Sequence, residues 1–128
     1  MNRKGIILSA GEGTRLYPIT KFISKQLLPV YNKPLIFYPL STLILSGIRD
    51  VLIITKPNES HFYKKLLGNG QNLGIKIKYE IKKKSNGIAE SILIASKFIG
   101  EDSFCLILGD NIFYANNLAG LLQKANTN

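Results

Sequence analysis

The sequence has little of what several protein classes require. It contains a single cysteine, Cys105, so no disulfide can form within the chain, which is typical of a reducing compartment. No apolar run reaches the roughly 18 residues of a transmembrane helix, and the run near the N-terminus is too short for a signal peptide. The only histidine, His61, has no second histidine with which to share a metal. We therefore expect a cytoplasmic protein that does not associate with membranes.

Acidic residues are also scarce, because 8 Asp and Glu stand against 17 Lys and Arg, which gives a formal net charge of +9. Such an excess can attract polyanions such as nucleotides, phosphorylated sugars or nucleic acid. It can equally reflect an AT-rich coding sequence, since lysine is more frequent than arginine, and both asparagine and isoleucine are abundant. Basic and aromatic residues do not interleave as in RNA-binding proteins, and no helix-turn-helix pattern occurs, so nucleic acid is not an expected partner.

The pattern of apolar residues predicts one domain of the α/β class. The 128 residues can bury about two thirds of their unfolded surface, which is enough for a core. Strands are predicted at 4–9, 50–55, 75–81 and 103–108. Helices are predicted within 34–47, after residue 58 as far as 67, and at 88–99 and 118–125. Alternating strands and helices predict a Rossmann-like three-layer αβα fold with a mostly parallel sheet. In the third helix, Ile88, Ile92, Ala95 and Ile99 should share the buried face.

Individual residues predict where these elements begin, end or bend. Pro39 disfavours a straight first helix, so this helix should start late or kink, and Gly47 suits its end. Asn58 is predicted to cap the second helix, which Gly68 would end. The strand at 75–81 alternates apolar with polar residues, as a strand near a sheet edge does.

Two points of chemical interest follow predicted strands. In parallel α/β sheets, ligands bind beyond the carboxyl ends of the strands. A glycine-rich segment follows Ser9, and Asp110 follows the strand that ends at Leu108. Both points therefore belong at one edge of the sheet, although an aspartate in this position can also simply cap the next element.

The glycine-rich segment AGEGTR, residues 10–15, matches neither of two common phosphate loops. It lacks the Gly-Lys pair of a Walker loop, and Leu16 stands where the dinucleotide fingerprint needs a third glycine. Its small residues still let backbone N–H groups approach a phosphate or a nucleoside closely. Arg15 offers a planar set of donors for phosphate oxygens, and Lys25 can add a charge. The alternative is a tight turn with a solvated arginine.

Three segments carry a resemblance to a known family. GIILSAGEGTRLYPIT (5–20), SKQLLPVYNKPLIFYPLSTLILSGI (24–48) and LGDNIF (108–113) together resemble the sugar-1-phosphate nucleotidylyltransferases, and SKQLLP resembles their thymidylyl branch. The resemblance implies Mg²⁺-dependent transfer of a thymidylyl group from dTTP to glucose 1-phosphate, giving dTDP-glucose and pyrophosphate. It implies no covalent intermediate, so the protein would work by positioning and by neutralising charge.

The same resemblance assigns roles to particular residues. Arg15 and Lys25 would be catalytic, with Arg15 stabilising the departing pyrophosphate, and Asp110 would bind Mg²⁺. The residues implied in substrate binding are Ala10, Gly11, Gly13, Thr14, Arg15, Lys25, Gln26, Lys82, Gly87, Asp110 and Asn111. Gln26 would help to hold the nucleoside, Asn111 would line the sugar side, and the Gly87 backbone would meet the base.

The sequence departs from the family in three places. Ala10 stands where the thymidylyl enzymes have glycine, and Lys82 stands where the family has a glutamine that pairs with the thymine edge. Lysine offers donors only, which would weaken or broaden base recognition. With Lys83 and Lys84, Lys82 can alternatively belong to an ordinary solvated run.

The third departure is length, since family members are much longer. We expect residues 1–128 to be the N-terminal nucleotide-binding part, without the half that binds the sugar phosphate. Weak nucleotide binding and little turnover are then expected, and the alternative function is a nucleotide-binding remnant of such an enzyme. A full-length protein would be a homo-oligomer.

Overall fold

A parallel β-sheet with helices on both faces forms the framework of the protein. The computed structural model describes residues 3–10, 29–30, 33–83 and 87–109. The strands are Arg3–Ser9 (β1), Pro29–Val30 (β2), Lys33–Pro34 (β3), Asp50–Thr55 (β4), Lys76–Ile81 (β5) and Ser103–Leu108 (β6). The helices are Phe37–Leu45 (α1), Ser60–Leu67 (α2), Ile88–Ile94 (α3) and Ser96–Ile99 (α4), with a 3-10 turn at Gln71–Leu73. None of the described helices combines the length and hydropathy that crossing a bilayer requires.

Four strands build the main sheet in the order β5-β4-β1-β6, and every neighbouring pair is parallel. The predicted α/β class with a mostly parallel sheet is therefore confirmed. The central strand β4 is buried apart from Asp50, and β1 is buried at Gly5, Ile6, Ile7 and Ser9, because helices cover apolar side chains on both faces.

The first helical layer packs on one face of the sheet. Leu40 and Leu43 of α1 and Tyr63 of α2 form a buried cluster with Ile7 and Ile53 of the central strands. Burying large apolar side chains of this kind contributes roughly 1.5–3 kcal/mol each.

The second layer packs on the opposite face. Ala95 and Ile99 form a separate buried cluster with Ile6, Leu52 and Ile54, which alternate with the first-layer residues along β1 and β4. The sheet thus separates two apolar clusters, as a three-layer arrangement requires.

The two outer strands of the described sheet differ from the central ones. On β5, buried Ile77 lies between exposed Lys76 and Lys78, which confirms the predicted one-faced strand near an edge. On β6, Ile107 is buried but Leu108 is 37% exposed, since β6 pairs only with β1 among the described strands.

Three helix predictions need correction. The first helix does not start late, because it begins at Phe37, two residues before Pro39. Proline is tolerated there because Pro39 lies in the first turn, where no backbone N–H is needed. The first i→i−4 bond is donated by Leu40 N–H to the Ile36 carbonyl at 3.3 Å. The second helix begins at Ser60 without a side-chain cap, so Asn58 is not its cap.

The third predicted helix is divided at Ala95 into α3 and α4. Ile88 and Ile92 were expected on the buried face, but they are 48% and 37% exposed and belong to neither apolar cluster. The short antiparallel pair β2–β3 was not predicted, and the predicted helix at 118–125 lies outside the described residues.

Candidate functional site

The carboxyl ends of the four parallel strands meet at one edge of the sheet, which we call the carboxyl edge (Ser9, Ala10, Thr55, Lys82 and Gly109). Two backbone hydrogen bonds extend the pairing beyond the strands. Lys82 N–H donates to the Thr55 carbonyl at 2.8 Å, and Gly109 N–H donates to the Leu8 carbonyl at 2.9 Å. The segments that leave β5 and β6 are thereby fixed beside β4 and β1.

The glycine-rich segment leaves this edge from a fully buried position. Ser9 is 0% exposed and Ala10 is 6% exposed. The hydroxyl of Ser9 has no hydrogen-bond partner among the described residues. Ala10 is therefore a buried residue at the end of β1, and a larger side chain there would have to displace its neighbours.

Lys82 is buried at the same edge, two strands away from Ala10. The side chain is only 5% exposed, whereas its neighbour Lys83 is exposed. Its ammonium group donates to the Gly87 carbonyl at 2.5 Å and to the Ser91 hydroxyl at 3.1 Å. The alternative that Lys82 belongs to a solvated run is therefore wrong, because its charged group bonds within the protein. With strands about 4.8 Å apart, Ala10 and Lys82 are separated by roughly 10 Å across the sheet.

Gly87 immediately precedes α3 and adopts backbone angles that disfavour other residues. Its φ is 96° and its ψ is 178°, and a Cβ built at this position would meet no atom within 4 Å. Glycine is therefore needed here for its conformation and not for space. This conformation presents the Gly87 carbonyl to the Lys82 ammonium.

Ser91 is the site residue that the sequence reasoning missed. It is 0% exposed and lies one turn before Ala95 on α3. A polar residue on the apolar side of a predicted amphipathic helix is the signal that could have revealed it, since a buried hydroxyl needs a partner.

Most of the residues implied by the family resemblance lie outside the described part of the chain. These are Gly11, Gly13, Thr14, Arg15, Lys25, Gln26, Asp110 and Asn111. Their roles stay predictions, as do the substrate-binding roles of Ala10, Lys82 and Gly87.

The binding of a metal ion also stays a prediction. Within residues 3–10, 33–83 and 87–109, no group of three His, Cys, Asp or Glu side chains lies close enough together to hold an ion. The proposed ligand Asp110 falls just beyond them. Its carboxylate has the right chemistry for Mg²⁺, which prefers oxygen ligands.

Comparison with known proteins points to one family. A profile described as Nucleotidyl transferase matches residues 4–128. The chain is 54% identical over 122 residues to a protein of Neisseria meningitidis named glucose-1-phosphate thymidylyltransferase, covering 95% of this chain and 42% of that protein. It is 51% identical over 121 residues to a protein of the same name from Mycobacterium tuberculosis, with 94% and 42% covered.

Solved structures agree with these relatives. A Bacillus anthracis protein named as a glucose-1-phosphate thymidylyltransferase, crystallised with sucrose, has a TM-score of 0.91 and 38% identity, covering 98% of this chain and 50% of its own. An apo UDP-glucose pyrophosphorylase has a TM-score of 0.85 at 25% identity, covering 99% and 54%. The chain therefore spans about half the length, or less, of the proteins that it matches.

Proposed function

Because the chain belongs to the nucleotidyl transferase family, we propose that it is the N-terminal nucleotide-binding part of a glucose-1-phosphate thymidylyltransferase. The observation that carries this proposal is the identity of 54% and 51% with two proteins of that name over nearly the whole chain. The parallel sheet supports it, because its carboxyl edge is where such folds bind ligands.

The proposed reaction is an in-line displacement. A phosphate oxygen of glucose 1-phosphate attacks the α-phosphorus of dTTP, the bond from that phosphorus to the bridging oxygen breaks, and pyrophosphate leaves with the bond's electron pair. Catalysis of this kind depends on position and on charge stabilisation. In this proposal, the backbone from Ala10 to Thr14 and the side chain of Gln26 hold the nucleotide. Arg15 and Lys25 stabilise the charge of the phosphates.

Asp110 is the proposed ligand of Mg²⁺, and Asn111 would contact the sugar. When bound, the ion would neutralise triphosphate charge. We expect chelation with EDTA to weaken dTTP binding, and added Mg²⁺ to restore it. Undiminished dTTP binding in EDTA would contradict the metal assignment.

Calorimetric titration of the chain with dTTP, UTP and GTP tests the nucleotide site. We expect dTTP to bind most tightly, and Arg15→Ala to weaken dTTP binding by about 10–100-fold, since a charge-assisted contact to phosphate contributes about 1.5–3 kcal/mol. Lys65→Ala is the control, because Lys65 is exposed on α2 and its substitution also removes one positive charge.

Two outcomes would change the proposal. Equal affinities for the three nucleotides would contradict thymidine selectivity. Efficient pyrophosphate release from dTTP and glucose 1-phosphate by residues 1–128 alone would contradict the expectation that this part binds nucleotide but turns over little.

A further inference from the structure

The ammonium group of Lys82 is a buried cation with two protein acceptors. Of its three donors, one bonds to the Gly87 carbonyl at 2.5 Å and one to the Ser91 hydroxyl at 3.1 Å. No carboxylate pairs with it within the described part of the chain. Burying a charged group is costly, so these two hydrogen bonds must supply part of what water would otherwise provide.

Both acceptors lie further along the chain, on α3 and directly before it. Lys82 leaves the end of β5 with its backbone N–H bonded to the Thr55 carbonyl at 2.8 Å. Gly87 and Ser91 belong to the start of α3, five and nine residues further along the chain. The side chain therefore joins the end of a strand to the first turns of the following helix, across residues 83–86. We call this set of contacts the Lys82 latch (Lys82, Gly87 and Ser91).

Among the described residues, the Lys82 latch provides the side-chain hydrogen bond to the Gly87 carbonyl. Further along, Ala95 and Ile99 pack into an apolar cluster on the sheet, but Ile88 at the start of α3 is 48% exposed. Apolar packing therefore orients the region around Ala95 and leaves the beginning of α3 to its polar contacts. Glycine can adopt more backbone conformations than other residues. The hydrogen bond to its carbonyl therefore helps to hold the Gly87 peptide in the observed orientation.

We propose that Lys82 is a positioning residue for nucleotide binding, which acts by holding Gly87 and the first turns of α3 against the carboxyl edge and not by touching the nucleotide. The inference rests on the proposed function and on the role that the family resemblance implies for Gly87, whose backbone would meet the base. The burial of the ammonium group and its two bonds within the chain are what favour an indirect role.

The test compares Lys82→Met, Ser91→Ala and the double variant with the unchanged chain. Lys83→Met is the matched control, because Lys83 is the exposed neighbour and loses the same charge. Two quantities are measured: hydrogen exchange of residues 87–95 without nucleotide, and the dissociation constant for dTTP.

We expect Lys82→Met to accelerate exchange in residues 87–95 while β1 and β4 stay protected. We also expect it to weaken dTTP binding by about tenfold, the size of one charge-assisted hydrogen bond. Ser91→Ala should change both quantities in the same direction by about threefold, because one of the two acceptors is lost. The double variant should be no weaker than Lys82→Met, since contacts of one latch are not additive.

Other results would overturn the inference. If Lys82→Met weakens dTTP binding without accelerating exchange in residues 87–95, Lys82 acts by contacting the nucleotide directly. If exchange accelerates and affinity does not change, the latch is structural only. Should Lys82→Met fail to fold, Ser91→Ala decides, because it removes one contact of the latch and keeps the bond to Gly87. Unchanged exchange and unchanged dTTP affinity in Ser91→Ala would then contradict the inference. Failure of the unchanged chain to bind dTTP would instead refute the proposed function.

Discussion

At the scale of the residue, burial of polar groups is what the sequence conceals. Lys82 stands in a run of three lysines that resembles solvent-exposed surface, yet its ammonium group is buried. One acceptor is a backbone carbonyl and the other is nine residues away, so neither can be identified from neighbouring residue types. The family resemblance pointed to this position, but only the structure shows what the side chain does.

Tyr79 is a second polar residue, half-buried, with a measurable pH dependence. Its hydroxyl donates to the Gly68 carbonyl at 2.6 Å and lies 3.3 Å from the Tyr63 carbonyl, which ties β5 to the end of α2. Burial raises the pKa of Tyr79 to about 12 from 10.0. The folded state therefore favours the neutral phenol, so this contribution to stability is fully present below pH 10 and is lost as pH rises towards about 12.

We accordingly expect Tyr79→Phe to lower the free energy of unfolding by about 1 kcal/mol at pH 7, the usual value of one hydrogen bond. The difference between the variant and the unchanged chain should shrink as the pH rises through the interval in which Tyr79 ionises. Urea unfolding of both proteins at pH 7 and at alkaline pH provides the measurement. A difference that grows with pH would contradict the assignment.

At the scale of the element, apolar strands were the most predictable feature. The strands predicted at 50–55 and 103–108 match β4 and β6, because apolar runs bounded by polar or glycine residues leave little choice of boundary. Helix starts were less predictable. Asn58 looked like a cap, but α2 begins two residues later, since capping is worth only about 1 kcal/mol and tertiary packing can override it.

The approach of α1 to β1 depends on the absence of a side chain at Gly5. A Cβ at this position would lie 2.7 Å from Leu43 Cδ1 and 3.2 Å from Ile48 Cγ2. We expect Gly5→Ala to reduce the free energy of unfolding by about 1–3 kcal/mol through overpacking.

The double variant Gly5→Ala, Leu43→Ala should lose less unfolding free energy than the sum of the two single variants, because the shorter side chain at position 43 removes the clash. Denaturant unfolding of the single and double variants measures this coupling. Leu45→Ala is the control, since Leu45 is 67% exposed on the same helix and should change stability by no more than about 0.5 kcal/mol. If the two losses of unfolding free energy are additive, α1 moves away from β1 to accommodate the new methyl group instead.

At the scale of the whole molecule, the sequence predicted the parallel sheet but not the order of its strands. The order β5-β4-β1-β6 places the first strand in the interior, and it depends on pairings between distant segments that local patterns do not reveal. Because all four strands are parallel, their carboxyl ends collect Ala10, Lys82 and Gly109 at one edge. That the Lys82 side chain is buried at this edge could not be predicted from composition or charge.

The net charge of +9 permits a test that separates a nucleotide site from general attraction to polyanions. We expect a single-stranded DNA oligonucleotide to bind only weakly, and its affinity to fall steeply as NaCl is raised, because such binding depends on counterion release. Arg15→Ala should weaken dTTP binding and leave DNA binding unchanged. Fluorescence anisotropy at several salt concentrations measures both. Tight DNA binding at physiological salt, lost in Arg15→Ala, would indicate a nucleic-acid-binding protein.

The interior position of β1 also has a consequence for synthesis of the chain on the ribosome. Lys4 pairs with Phe104 and Leu8 with Leu108, so one side of β1 finds its partner about 100 residues later. At translation rates of roughly 5–20 residues per second, that edge of β1 waits about 5–20 s for β6 to be made. During this interval, an apolar strand with open hydrogen-bonding groups is available to chaperones and to neighbouring nascent chains.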